Sequence, residues 1–212
     1  MTFASRQDAG QKLGRHLLNE VADVDVVVGL PRGGVVVAAE VAHLLQRPLE
    51  ILVVRKIGHP QHREFAVGAL AENDVVLLNE KVIDSNETMR AELFDIIREE
   101  QERLSQYRRK FHQAQRINFC DQAVLLVDDG LATGTTMEAA VLSARRQGAR
   151  KVMVAVPVGS TNAIVHLQSV ADAVFSIVTD PGFQAVGAYY ETFSQTADEE
   201  VLDLLRAEQA EH

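Results

Sequence analysis

The chain has 212 residues and a mass of 23.3 kDa, with 47% hydrophobic and 24% charged content, which suits one soluble α/β domain, or a domain with a small appendage. A formal charge of −9 argues against nonspecific nucleic-acid binding, and no apolar run approaches the roughly 18 residues of a membrane span. The opening residues lack the apolar region of a secretory signal, and Cys120 is the single cysteine, so an internal disulfide is excluded and a reducing cytoplasm is the expected compartment.

Leu13, Leu17 and Leu18 fall at helical spacing and predict a helix over residues 6–20. Asp25–Leu30 is a first strand buried on both faces, and it runs straight into Pro31-Arg32-Gly33-Gly34 before a helical stretch, Val35–Leu45. The two glycines free the backbone and Arg32 offers a forked cation, so this turn is ready for an anion. On its own it reads equally as a plain start to a helix. Glu50–Val54 is the next strand, ending in Arg55-Lys56. Gly58, Pro60 and Gly68 break the following stretch too often for a core helix. It reads as a long excursion, a two-stranded flap being one form it can take, before a strand over Val75–Asn79. His59, His62 and Glu64 lie in this excursion; with no cysteine or third histidine converging on them, the histidines read as solvated loop residues rather than metal ligands.

From Asp84 to about Gln115 the pattern is a long amphipathic helix. Asp84 and Glu87 have capping-box spacing, and Met89, Leu93, Ile96, Ile97, Leu104, Tyr107 and Phe111 form one apolar stripe. At 1.5 Å per residue such a helix is about 45 Å long and overhangs a sheet. Its stripe serves either the core or a dimer contact, and both remain open. The basic run Arg108–Lys110 fits the favourable dipole position near a helix C-terminus.

The most informative stretch is Ala123–Met137, AVLLVDDGLATGTTM. A buried strand, Val124–Val127, delivers two adjacent acids, Asp128 and Asp129. A loop of small residues follows, and a helix opens near Thr136. The loop backbone can approach a phosphate closely, and the helix N-terminus favours negative charge. The hydroxyls of Thr133, Thr135 and Thr136 add donors. A phosphate alone needs no carboxylates; adjacent acids beside a phosphate cradle suit a ligand that also carries a vicinal diol, which describes a ribose 5-phosphate. The Walker and dinucleotide fingerprints are absent, and the acids are adjacent rather than two apart as in a phosphatase-type pair.

The chain continues as a helix over Thr136–Gln147 stopped by Gly148, a strand over Lys151–Val156, a short helix from about Thr161 to Val170 and a strand over Ala173–Val178. This alternation predicts a parallel sheet with helices on both faces, and right-handed crossovers then bring both anion-ready turns to one carboxyl edge. The tail Thr179–Phe193 gathers Phe183, Tyr189, Tyr190 and Phe193, and Asp198–Ala207 is a closing helix.

An apolar strand followed by Asp-Asp-x-x-x-Thr-Gly-x-Thr resembles the loop of type I phosphoribosyltransferases that binds 5-phosphoribosyl diphosphate (PRPP), and PRGG resembles their pyrophosphate loop. Arg55, Lys56, Gly58, Pro60, Glu64, Ala66, Gly68 and Ala69 are similar to the Arg-Lys-x-Gly-x-Pro and Glu-x-Ala-x-Gly-Ala motifs of a bacterial group of that family. The resemblance implies a single domain over 1–212: a three-layer α/β parallel-sheet fold with a flexible lid at about 57–73 and a small C-terminal hood at about 179–195. It implies transfer of phosphoribose from PRPP to a nitrogenous base, with Asp128, Asp129, Lys56 and Arg32 at the reaction.

It further assigns Ala132, Thr133, Gly134, Thr135 and Thr136 to PRPP beside the two acids, and Arg32, Gly33, Gly34, Arg55 and Lys56 to pyrophosphate. Phe183, Val186, Tyr189 and Tyr190 become candidates for the acceptor pocket; for any one ring, packing the tail onto the core is the alternative. Mg²⁺ would enter bound mainly through PRPP, without a metal site of the protein's own. The expected partners are PRPP and a small acceptor, with neither nucleic acid nor membrane; a homodimer is one assembly, and the sequence leaves the oligomeric state open. A PRPP- or nucleotide-sensing regulator of the same fold, without transferase activity, is the alternative. The family's pyrophosphate loop often holds a cis peptide, whose position within 30–33 the sequence leaves open. Ala132 stands where purine salvage enzymes commonly carry an Asp, which weakens a hypoxanthine–guanine specificity. Gly130 replaces the usual β-branched residue, giving that turn extra freedom.

Overall fold

The two inner strands of the central sheet, Val26–Gly29 and Ala123–Val127, are apolar along their whole length because helices cover both faces, so successive side chains alternate between two cores rather than between core and water. The computed structural model describes residues 2–63, 65–79, 83, 87–112 and 118–211, with 87–90 and 208–211 as backbone alone. Five parallel strands, β1 (Val26–Gly29), β2 (Leu49–Ile51), β6 (Ala123–Val127), β7 (Lys151–Ser160) and β8 (Ala173–Asp180), lie in the order β2-β1-β6-β7-β8. Val27, Leu125, Val127, Met153 and Ala155 meet Leu13 and Leu17 of α1 (Arg6–Leu17) and Val35, Val37 and Val41 of α2 (Gly33–Leu45). On the other face Val26, Val28, Val124, Leu126, Val152 and Val154 meet Met137, Ala140 and Val141 of a helix over Thr135–Arg146, and Ile164 and Leu167 of one over Thr161–Leu167. The result is the expected three-layer α/β fold.

The expected strand Glu50–Val54 is divided between two sheets. Leu49–Ile51 stays in the parallel sheet, while β3 (Val54–Gly58) pairs antiparallel with β4 (Ala66–Ala71), which pairs with β5 (Val75–Leu78). The break falls where the Val53 N–H leaves the ladder and donates to the buried Glu72 carboxylate at 2.8 Å. The stretch 57–73 is thus the β3–β4 hairpin. Glu64 lies outside the described residues.

The long helix, α3, is described over Glu87–His112; the expected cap Asp84 and the expected end near Gln115 lie outside the described residues. Leu93, Ile96, Leu104 and Phe111 are buried in the same core as α1 and α2, with Ile97 and Tyr107 packed against it, so from Leu93 to Phe111 the stripe serves the core; the Met89 side chain lies outside what the structure describes. His112 in the last turn meets the Glu72 carboxylate at 2.7 Å, both side chains being buried, which pins α3 to the base of the hairpin. The helices over Thr135–Arg146 and Thr161–Leu167 are α4 and α5, and the closing helix α6 runs over Asp198–Glu211.

Strand order fixes where a ligand can sit. From β1 the chain crosses to β2 on one side, and from β6 it crosses to β7 on the other. The adjacent pair β1 and β6 is therefore the switch point at which an open parallel sheet parts its connections and leaves a crevice at its carboxyl edge. Gly29 is level with Val127 across this pair, and Leu30 N–H donates to the Val127 carbonyl at 3.0 Å. The turns that follow both strands leave the sheet side by side.

Candidate active site

The two turns touch through the glycines of one and the acids of the other. A Cβ on Gly34 would stand 2.6 Å from Asp128 Oδ1, and a Cβ on Gly33 would fall on Asp129 Oδ2. Only residues without side chains let the PRGG backbone lie this close to two carboxylates. The peptide between Pro31 and Arg32 is cis, which locates the bond that the sequence left open. Asp128 Oδ1 accepts the Asp129 N–H at 2.8 Å.

The phosphate-ready loop is tied to β7 rather than left to itself. Leu131 N–H donates to Val158 O, Ser160 N–H to Leu131 O, and Ser160 Oγ to Ala132 O at 2.7 Å. Gly134 then takes a left-handed conformation at φ 79° and opens α4 with no side-chain cap. Thr133 and Thr135 stand beside this helix start with their hydroxyl oxygens 3.2 Å apart. Amide donors at an uncapped helix N-terminus with two hydroxyls alongside form a cradle for an anion. Gly130 has its own steric reason: a Cβ there would meet Val186 Cγ1 at 2.7 Å and Val158 Cγ1 at 3.1 Å. The hood packs directly on this turn, so close approach, rather than the extra freedom expected of Gly130, accounts for the glycine.

Arg32 and Arg55 line one cavity of about 270 Å³ with Pro31, Val53, Val54 and Tyr107. Arg55 is held from behind by α3, whose buried Glu100 accepts from its Nε at 2.8 Å, while its guanidinium lies 5.4 Å from the centre of the Tyr107 ring. Arg32 reaches Asp198 of α6 at 3.6 Å. Lys56 is exposed on β3, and its charge reaches both Asp128 and Asp129.

Beyond Ala132 and Thr133 lies a cleft of about 550 Å³, closed by Ser160, Thr161, Asn162 and Ala163 on one side and Pro181, Phe183 and Gln184 on the other. Of the four aromatic-tail candidates for an acceptor, Phe183 lines this cleft. Tyr189 stacks behind Phe183, centroids 5.4 Å apart, and donates its hydroxyl to Asp180. Val186 packs on Gly130, and Tyr190 is buried with its hydroxyl on the Asp129 carbonyl at 2.6 Å.

Burial pushes the Asp128 carboxyl well above the usual carboxylate range, and the neighbouring Asp129 charge pushes it the same way. Burial raises Asp129 too, but the hydrogen bond and charge of Arg6 oppose the rise, with Lys56 adding to them. Among the described residues no group of three or more His, Cys, Asp or Glu is arranged to hold a metal. Two half-buried acids beside an anion cradle nevertheless suit a Mg²⁺ that keeps most of its oxygen ligands from water and phosphates, since that ion is commonly held by one or two carboxylates.

The sequence motifs therefore converge: Arg32, Gly33, Gly34, Arg55, Lys56, Asp128, Asp129 and the 132–136 loop share one edge. Sequence reasoning missed Arg6, which pairs with Asp129 at 2.7 Å, because nothing local marks one arginine in a surface helix. It also missed Asn162 and Gln184, since neutral amides in turns carry no pattern.

The family model described as phosphoribosyl transferase domain matches residues 6–191. A Mycobacterium tuberculosis (strain H37Rv) protein named "Putative phosphoribosyl transferase Rv0571c" is 41% identical over 204 residues, 96% of this chain and 46% of its own length. The chain thus spans about half the length of the curated relatives it matches first. Amidophosphoribosyltransferase of Escherichia coli K12 is 28% identical over 155 residues, 72% of this chain and 24% of the enzyme. The crystal structure of TT1426 from Thermus thermophilus superposes with a TM-score of 0.78 at 38% identity, covering 97% of this chain and 98% of that one. A purine phosphoribosyltransferase from Pyrococcus horikoshii shares the fold, with a TM-score of 0.51 at 15% identity.

Proposed function

The chain belongs to the phosphoribosyl transferase domain family, and from that premise we propose that residues 1–212 form one domain that transfers the 5-phosphoribosyl group of PRPP to a nitrogenous base, releasing pyrophosphate. The observation that carries this reading is the contact between the two turns, in which Gly33 and Gly34 lie against Asp129 and Asp128. A diol-binding acid pair stands between one anion turn and another, and PRPP carries a diol between a 5-phosphate and a pyrophosphate.

In this reading the N–H groups at the start of α4, with Thr133, Thr135 and Thr136, take the 5-phosphate. Asp128 and Asp129 accept from the ribose hydroxyls. Arg32, Arg55 and Lys56 neutralise charge growing on the leaving pyrophosphate, the larger part of the catalytic work where no protein nucleophile is needed. Asp128 and Asp129 are the residues that would hold a Mg²⁺, which would supply charge neutralisation on the pyrophosphate. The acceptor enters the 550 Å³ cleft against Phe183, in line with the departing bond. Ala132 at its mouth has no proton to exchange, so an acceptor nitrogen loses its proton to another group or to water, or arrives as its own anion. Closure of the 57–73 hairpin keeps water from the anomeric carbon.

The direct test is a panel of purine, pyrimidine and amine acceptors with PRPP and Mg²⁺, read by pyrophosphate release. Release with at least one acceptor, abolished in Asp129→Asn, is expected. PRPP binding without release across the whole panel would instead favour a sensor of the same fold.

A further inference from the structure

We propose that Arg6 is a positioning residue of the sugar site: its guanidinium sets the orientation of the Asp129 carboxylate and fastens that acid to the hood. The inference rests on the PRPP reading above and adds to it a residue that the loop motifs do not contain.

Three restraints from different directions fix the guanidinium. Its Nε donates to Asp129 Oδ2 at 2.7 Å, its Nη1 donates to the Ser194 carbonyl at 2.6 Å, and its flat face lies 3.9 Å from the centre of the Phe193 ring. A lysine could satisfy one of these but not all, because only the planar fork spreads donors in fixed directions while leaving a face to stack. The Arg6 and Asp129 side chains are 12% and 15% exposed, which sets this pair apart from a solvated surface bridge of little energetic weight.

The chain around Arg6 is built to hold it there. Ser5 caps α1 by accepting the Asp8 N–H, so Arg6 begins the helix at a defined angle. Just before it, Phe3 N–H donates to the Tyr189 carbonyl and Glu191 N–H to the Phe3 carbonyl, a short parallel bridge that binds the N-terminal segment to the hood. Phe3 is fully buried against Tyr190, their ring centres 5.5 Å apart. Tyr190 in turn holds the Asp129 carbonyl, so backbone and side chain of the same acid are gripped from the hood and from α1. A Cβ on Gly33 would stand 2.6 Å from Arg6 Nε, which places the guanidinium against the pyrophosphate turn as well.

The chemical need is clear. Two adjacent half-buried carboxylates repel each other, and a carboxylate free to rotate would present a sugar hydroxyl with several geometries. With Oδ2 committed to Arg6, the diol is left Oδ1 to donate to. The positive charge, together with that of Lys56, opposes the cost of burying the Asp129 carboxylate.

The test compares wild type, Arg6→Gln, Arg6→Lys, Asp129→Asn and the Arg6→Gln/Asp129→Asn double variant in PRPP–Mg²⁺ binding by calorimetry, with melting to show that each is folded. Arg6→Gln is expected to weaken PRPP at least about tenfold, the scale of one charge-assisted hydrogen bond. Arg6→Lys should recover part of that loss. The double variant should bind no worse than Asp129→Asn alone, because Arg6 acts through that acid. Wild-type affinity in Arg6→Gln, or losses that simply add in the double variant, would overturn the inference and leave the PRPP reading standing. A wild type that fails to bind PRPP would overturn both. Should Arg6→Gln not fold, Arg6→Lys decides: a severalfold loss supports the fork's role, and wild-type affinity overturns it.

Discussion

Tyr190 donates its hydroxyl to the backbone carbonyl of Asp129 at 2.6 Å, joining the hood to the acid turn across the carboxyl edge of the sheet. Its ring packs between Phe3 and Phe193, with centroids at 5.5 and 5.0 Å. Tyr190→Phe keeps this packing and removes the donor, leaving the Asp129 carbonyl short of a partner. We expect a loss of about 1–2 kcal/mol in stability, measured by urea denaturation, together with weaker PRPP binding. Unchanged stability would show that water replaces the hydroxyl.

Gly130 and Val186 form a second joint between hood and loop. A methyl at 130 would meet Val186 Cγ1 at 2.7 Å, so Gly130→Ala should cost about 1–3 kcal/mol through overpacking. Val186→Ala introduced with it should recover most of that cost, a coupling that a double-mutant cycle reads directly. Independent, additive losses would mean that the two residues do not meet.

Asp128 carries a stability cost whose sign can be stated. Burial holds its folded carboxyl above the ordinary range. Such a group favours folding below its unfolded value near 4, and the advantage fades as pH rises through the folded value, because a buried carboxylate must then be kept charged. Asp128→Asn keeps the acceptor for the Asp129 N–H and removes the charge. The variant should match wild type near pH 3 and melt higher at pH 7–8, by about 2–4 °C for each kcal/mol gained, while losing activity. A lower melting point at pH 8 would contradict this.

Much of this arrangement was readable in the sequence, and the reason is local chemistry. The strand Val124–Val127, its two acids and the Gly134 turn lie within fifteen consecutive residues, and Pro31–Gly34 is as compact. Their meeting followed from the alternation of strand and helix, which leaves few ways to order a parallel sheet. What was not readable depends on tertiary approach. Arg6 reaches Asp129 across 123 residues, and Gly130 looked like a flexible turn because Val186, its reason, lies far along the chain. Splitting 50–58 between two sheets was hidden for the same reason: the Glu72 carboxylate that takes the Val53 N–H is nineteen residues downstream.

Glu100 tests the role of the long helix. It is buried, and it accepts from Arg55 and from Arg103, each at 2.8 Å. Glu100→Ala leaves Arg55 without its acceptor and Arg103 with Glu99 alone, and a loss of about 1–3 kcal/mol is expected. If Arg55 serves pyrophosphate, the KM for PRPP should rise while binding of ribose 5-phosphate, which has no pyrophosphate, stays as in wild type. Equal losses for both ligands would restrict Glu100 to a structural role.

The central claim is that Asp129 grips a sugar diol between two anion turns. Calorimetric titration of PRPP–Mg²⁺ into wild type and Asp129→Asn tests it most directly. The account predicts a saturable one-site heat for wild type that is lost or weakened at least about tenfold in the variant; equal binding by the two proteins, or none by wild type, would contradict it.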